Sequence, residues 1–399
     1  MRALIAFLLI AALAVVTALL LKTGSGYVLI AAPPYRVEIA LAAFVFFLIV
    51  GFAVIYGVVR SAVRLSQLPA EVRESRRRDQ LERARNKQDA AVVALIEGRA
   101  GKAREFAQEA LALPRSSPIS ALVGARAALE TRDYATVDKL LAAPEAQATN
   151  LAVPRLMLEA EQALERGQAN ETLRKLAELK KEAGLHTAAL RLELRALTAA
   201  GRHADIPPLV DQLVKRKVYD ATQADLLRAS AHAETLAGMS HDATGLREYW
   251  NRVPEFDRLQ PKVARAAARS FHALGGDREA ADILARSLER QWDADSALVF
   301  ADCRTADLKR QIETAERWLA PHNDDPQLLF ALGRLCEREQ LWGKAQSYYE
   351  ASLALSDNWR TRIALGELLG QLGRHEDANA HLAAALKLAV AELERAPSA

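Results

Sequence analysis

Eight histidines and two cysteines are the side chains here that could ligate a metal or a cofactor, and none stands at a ligand spacing. His186, His203, His232, His241, His272, His322, His375 and His381 include no His-Glu-x-x-His and no Cys-x-x-Cys-His pattern. Those spacings put two ligands on one helix face or fix a cofactor covalently. Each histidine therefore reads as a surface or inter-helix residue, and no metal is expected. Cys303 and Cys336 form no Cys-x-x-Cys pair, and neither precedes a proline. Both fall inside apolar helical patterns, where a free cysteine behaves as a small hydrophobe. The run Gly98-Arg99-Ala100-Gly101-Lys102-Ala103 glances at a phosphate loop. Its glycine spacing is wrong, and alanine stands where a hydroxyl must reach magnesium. No Ser/His/Asp set or carboxylate pair assembles by spacing, so no catalytic residue is named and no enzyme is expected.

Positive charge offers a different chemistry. Lys262, Arg265, Arg269 and His272 recur at helical spacing and should share one face, and an earlier segment offers Arg191 and Arg195. Together they could line a basic groove for an acidic peptide, since guanidinium groups grip carboxylates in pairs. The plainer reading is a set of solvated positions on charged helices.

What must position these residues begins with a membrane anchor. Two uncharged apolar runs, Ala3–Leu21 and Ile39–Val59, flank a short loop. Each is long enough to cross a bilayer of about 30 Å at 1.5 Å rise per residue. The residues expected to span are about 3–21 and 39–59, joined by a loop over 22–38. A cleaved signal peptide is the other reading of the first run, with Arg2 as its charged start. Against it, the run exceeds an h-region of roughly 7–15 residues and no Ala-x-Ala follows. The loop carries Lys22 and Arg36, whereas Arg60, Arg64, Arg73, Arg76, Arg77, Arg78, Arg83, Arg85 and Lys87 follow the second run. By the positive-inside rule, both termini and everything after residue 60 face the cytoplasm.

Charge is split accordingly. The formal net charge is +3, with +2 over residues 1–59 and +5 over 60–87, which leaves −4 for the rest. The later region is thus mildly acidic and shows no global basic surface for nucleic acid. Residues 60–87 read as a basic juxtamembrane helix that fixes topology and meets anionic head groups. Within the loop, Tyr27-Val28-Leu29-Ile30 and Tyr35-Arg36-Val37 flank Pro33-Pro34, which predicts two short extended segments around a tight turn.

Residues 88–393 read as helix throughout, ending in a flexible tail over 394–399. The clearest unit runs from Pro326 to Asp357, with Leu329, Leu332, Gly333 and Cys336 before a turn at Gln340, then Ala345, Tyr349 and Ser352. The scaffold returns 33 residues later as Leu365, Gly366, Leu369, a turn at Gly373, Ala378, Leu382 and Ala385. This is similar to the tetratricopeptide repeat, in which small residues let two helices approach and large ones fill the seam between hairpins. Gly333, Ala345, Tyr349, Gly366 and Ala378 are the packing residues so identified. Earlier turns fall near Gly98, Arg132, Gly167 and Gly201, spaced by 34, 35 and 34. Looser turns follow near Gly238 and at Gly275, and a degenerate unit is expected over Asp295–Pro321. The expected fold class is all-α: a two-helix transmembrane hairpin followed by a curved tetratricopeptide-like solenoid of roughly seven to nine helical hairpins.

The loop and its flanks carry a narrower resemblance. Gly26, Tyr27, Val28, Leu29, Ile30, Tyr35 and Glu38 precede the second apolar run. Gly245-Leu246-Arg247 with Trp250, and Leu288–Gln291 with Trp292-Asp293, add further matches. In this pattern the chain resembles the HemY family of proteobacterial inner-membrane proteins. It does not resemble the flavin-dependent protoporphyrinogen oxidase that shares the name, which needs an early Gly-x-Gly-x-x-Gly after a strand. The resemblance implies a role at a late stage of protohaem biosynthesis or its regulation, at the bacterial inner membrane. The partners it implies are proteins of terminal haem synthesis or other inner-membrane proteins. No cofactor is expected. Were haem or porphyrin bound, His272 and His322 would be the first ligands to test, and the basic groove could hold porphyrin carboxylates. A scaffold, a tetrapyrrole carrier and a general envelope assembly factor all remain open on the sequence.

Overall fold

The computed structural model describes residues 26–32, 35–114, 116–184 and 186–395. The first apolar run, 3–21, lies outside the described residues. The chain divides into two compact units, Met1–Ala146 and Gln147–Ala399.

In the first unit the loop is a β-hairpin. Strands β1 (Tyr27–Ala32) and β2 (Tyr35–Ala40) pair antiparallel, with Tyr27 opposite Ala40 and Ala32 opposite Tyr35. Their β-branched and aromatic residues favour the pleated conformation, as the two expected extended segments required. Leu41 N donates to Gly26 O at 3.2 Å, so the hairpin closes directly onto the helix that follows.

That helix, α1 (Leu41–Ile96), is 56 residues long. It corrects three boundaries. The helix expected over the second apolar run starts at 41 rather than 39, because 39 and 40 complete β2. The divisions expected at 59/60 and 87/88 fall inside one continuous helix. Sequence polarity changes there, but helix propagation depends on backbone hydrogen bonds and not on which solvent the side chains meet. Its segment Ala43–Arg60 is the one helical stretch among the described residues long and apolar enough to cross a membrane, and Phe47, Phe52 and Ile55 on it are exposed. The C-terminal end of α1 folds onto α2 (Ala100–Ala112) around Gly98, with Ala84, Ala91, Ala94, Ala103 and Ala107 buried and Leu95 and Phe106 packed beside Ala94 and Ala103. A second hairpin, α3 (Ile119–Glu130) and α4 (Tyr134–Ala142), turns at Arg132.

The second unit repeats the same hairpin. The pairs are α5 (Ala152–Glu165) with α6 (Ala169–Ala183), and α7 (Thr187–Ala199) with α8 (Ile206–Lys215). Next come α9 (Ala221–Gly238) with α10 (Ala243–Arg252), the short α11 (Glu255–Arg258), and α12 (Pro261–Ala273) with α13 (Asp277–Arg290). The last three pairs are α14 (Ala294–Asp302) with α15 (Leu308–Leu319), α16 (Pro326–Arg338) with α17 (Trp342–Leu355), and α18 (Trp359–Gln371) with α19 (His375–Arg395). A tail is expected from 394, but α19 continues to Arg395, and residues 396–399 lie outside the described residues.

Most turns use one device. At Gly275 the chain enters the left-handed region with φ +79°, Gly275 N donates to His272 O, and Gly276 N donates to Phe271 O. These two bonds satisfy the last carbonyls of α12, which glycine permits because it has no Cβ to clash. The degenerate unit departs from this. Between α14 and α15 no residue takes positive φ, and side chains hold the loop instead. Gln311 Nε2 donates to Phe300 O at 2.6 Å and Cys303 O at 3.1 Å, and Arg338 Nη1 donates to Ala301 O at 2.6 Å.

The seam between helices is where the packing residues lie. Ala345 and Tyr349 are fully buried, and a Cβ built on Gly333 would stand 2.5 Å from Tyr349 Cδ1. Gly366 meets Leu382 and the Ala378 carbonyl in the same way, and Ala378 is buried. Large side chain against absent side chain sets how closely these helices approach.

Candidate binding surfaces of the repeat array

The residues expected to form a basic groove stand on the first helix of their hairpins, but most already have partners. Lys262 Nζ donates to Ser230 Oγ at 3.0 Å. Arg265 Nη1 bridges Asp293 Oδ2 at 2.8 Å and Asp295 Oδ2 at 3.1 Å, across to the start of α14. Arg195 faces Glu165 at 3.7 Å, and further along Arg334 pairs with Asp302. These contacts join neighbouring hairpins. Asp293 serves twice, since it also caps α14 by accepting from Ser296 N at 2.9 Å. The groove as expected is therefore corrected: its central guanidinium is neutralised by the next repeat. Arg191 and Arg269 remain exposed, and no ion pair of theirs is found among the described residues.

The two histidines singled out for a cofactor also have ring partners. His272 Nδ1 lies 2.5 Å from Asp277 Oδ1, which additionally accepts from Arg304 N at 2.9 Å. Burial works against the Asp277 charge, but the Arg304 N–H and the His272 ring outweigh it and hold that carboxyl below its ordinary range. His322 stacks on Trp292 with centroids 4.1 Å apart, and Trp292 Nε1 donates to Asp325 Oδ2, a cap of α16. Both histidines are thus engaged, His272 within its own hairpin and His322 on Trp292, whose bond to Asp325 ties one repeat to the next. Cys303 and Cys336 are buried, and burial pushes their thiols up to about 12 and about 11. A thiol so placed stays protonated at neutral pH and is a poor nucleophile.

Sequence reasoning passed over His232. It lies on α9 and is only 5% exposed. Its Nδ1 is 2.9 Å from Tyr249 Oη on α10, and its Nε2 lies 3.7 Å from Asp257 Oδ2 on α11. Asp257 is 3% exposed and approaches Arg228 Nε at 3.7 Å. Arg228 is bound elsewhere, to Asp211 at 2.9 Å and Asp225 at 2.5 Å. These groups border a cleft of about 520 Å³ that Pro207, Pro208, Pro254 and Phe256 wall. The available signal was a histidine at an otherwise apolar helical position. Nothing in spacing says that Asp257, 25 residues on, would come to face it.

In the loop that carried the family resemblance, Tyr27 and Glu38 are exposed, Gly26 accepts the helix-entry bond, and Tyr35 opposes Ala32 at the turn end of the hairpin.

Among curated proteins none matches the chain. Solved structures similar to it include one titled as the crystal structure of MamA, 14% identical, which covers 41% of this chain and 96% of that one at a TM-score of 0.32. Another, of the APC/C hetero-tetramer Cut9–Hcn1, is 14% identical, with 76% of this chain and 66% of that one covered at a TM-score of 0.31. A family model described as the HemY protein N-terminus matches residues 26–132. That match opens at Gly26, where the β-hairpin closes onto α1, and ends at the Arg132 turn of the second helical hairpin. The β-hairpin, the long helix, α2 and α3 thus lie within the stretch that matches the HemY protein N-terminus.

Proposed function

We propose that this protein is a scaffold held at the bacterial inner membrane, which docks partner proteins close to the bilayer at a late step of protohaem biosynthesis or its regulation. The observation that supports this reading is the continuity of α1, whose apolar segment Ala43–Arg60 runs without a break into the first repeat hairpin. A docking surface fused to an anchor raises the effective concentration of whatever it binds without any new chemistry. In this reading two spans anchor the chain, and the arginine-rich stretch after the second keeps both termini and the repeats in the cytoplasm. The scaffold catalyses no step and carries no cofactor. Its partners are enzymes of terminal haem synthesis, met through exposed positions such as Arg191 and Arg269 rather than through Arg265.

Affinity purification from native membranes tests this, scored for co-purifying proteins and for tetrapyrrole absorbance. Haem-pathway enzymes without pigment are expected, with recovery reduced by Arg191→Glu with Arg269→Glu. Stoichiometric pigment would replace the scaffold by a tetrapyrrole carrier. Neither pigment nor haem enzymes would remove the assignment to haem synthesis.

A further inference from the structure

The wall of the cleft beside His232 holds two buried polar atoms without a hydrogen bond. His232 Nε2 and Asp257 Oδ1 have no hydrogen-bond partner, although both residues are more than nine-tenths buried. Buried polar atoms are normally satisfied, so an orphan pair at the wall of a cavity asks for a ligand or a water. Thr235 Oγ1 donates to Ala231 O at 2.8 Å, and His232 Nδ1 lies 2.9 Å from Tyr249 Oη. His232 Nε2 is 3.7 Å from Asp257 Oδ2 and Arg228 Nε is 3.7 Å from Asp257 Oδ1, both beyond hydrogen-bond reach. Arg228 is taken up by Asp211 and Asp225, so the buried Asp257 carboxylate is the acceptor left short of a donor, and a ligand N–H supplies one.

Charge and shape agree with that requirement. Asp211 and Asp257 line the cleft with Arg228 and Arg252, and Arg228 is already engaged by Asp211 and Asp225. Arg252 stands at the rim, where its Nε donates to Glu248 O at 3.3 Å and its guanidinium lies over the Tyr249 ring. The walls formed by Pro207, Pro208, Pro254 and Phe256 are apolar and suit an aliphatic stem. We propose that this cleft between α8, α9 and α10 binds an ammonium or guanidinium group on an aliphatic stem, held by Asp257 Oδ1 beside His232. A lysine or arginine side chain of a docked protein and a free polyamine share this chemistry.

The test is calorimetric titration of the detergent-solubilised full chain at low salt. The probes are N-acetyl-lysine methylamide, N-acetyl-arginine methylamide, spermidine and the neutral N-acetyl-citrulline methylamide. Saturable binding of a cationic probe, with citrulline at least about tenfold weaker, is expected. The amino-acid amides outbinding spermidine would point to a partner side chain, and the reverse to a polyamine. Asp257→Asn, checked for an unchanged helical melt, should weaken the cation by at least about tenfold. Arg252→Glu, on the exposed rim, should tighten it. No saturable cation binding means that water alone fills the cleft. That result, citrulline binding as well as arginine, or Arg252→Glu leaving affinity unchanged or lower, would overturn the proposal.

Discussion

At the scale of single residues, the most constrained position is Gly333. Tyr349 occupies the volume its side chain would need, and the tyrosine is itself fixed by donating to Glu337 Oε2 at 2.6 Å. Overpacking a filled seam costs about 1–3 kcal/mol. Gly333→Ala should lower stability by that amount in a denaturant titration, and adding Tyr349→Leu should restore part of it. A neutral Gly333→Ala would mean that the ring has room to move. This pair was legible in the sequence because small and large residues sixteen apart recur at the helical period and again at Gly366 and Leu382. His232 was not legible. Its partners come from a different hairpin and a short linker helix, and only the fold brings them together.

At the scale of elements, the turns between helices are the informative feature. Gly98, Gly167, Gly201, Gly275 and Gly373 take positive φ, and so do Arg132 and Gln340, with φ 56° and 60°. A side chain in that region costs about 1–2 kcal/mol, whereas glycine raises unfolded-chain entropy at a cost of about 0.5–1 kcal/mol. The first term is larger, so Gln340→Gly should stabilise the fold by up to about 1 kcal/mol, read as a higher melting temperature. A loss of stability would show that Gln340 contributes a contact worth more than its strain. The register of these turns was readable from spacing alone, including the two without glycine. The α14–α15 unit was readable only as a gap of the right length. Its turn is held by Gln311 of α15 and by Arg338, which reaches it from α16, and local spacing carries no trace of the second. The ends of α1 were missed for the converse reason, since sequence polarity marks where the surroundings change and not where a helix stops.

At the scale of the whole molecule, acid sets a limit on stability. Three carboxyls sit below their ordinary range: Asp133 through the Thr136 hydroxyl and N–H, Asp277 through Arg304 N–H and His272 against its burial, and Asp357 through Arg362. Such groups stabilise the fold fully above the unfolded value of about 3.9 and cease to as pH falls through their folded values. Glu193 acts in the opposite sense, because burial raises it and protonation relieves it. Three against one predicts a urea midpoint that is level from about pH 7 to 5 and falls below about pH 4. A midpoint that climbs into acid would reverse the balance.

The long helix α1 has a further consequence. Its 56 residues extend about 84 Å at 1.5 Å each, and the apolar part accounts for about 27 Å of that. Buried contacts with α2 begin near Ala84, so some twenty residues form a stalk of about 30 Å between the end of the apolar segment and the first repeat. A helical stalk works as a ruler rather than a leash: it fixes an altitude and a bearing. One residue more or less turns whatever it carries by about 100° while lifting it by about 1.5 Å. Deletions there should therefore act with the phase of the helix, harmless in multiples of a turn and disruptive between them.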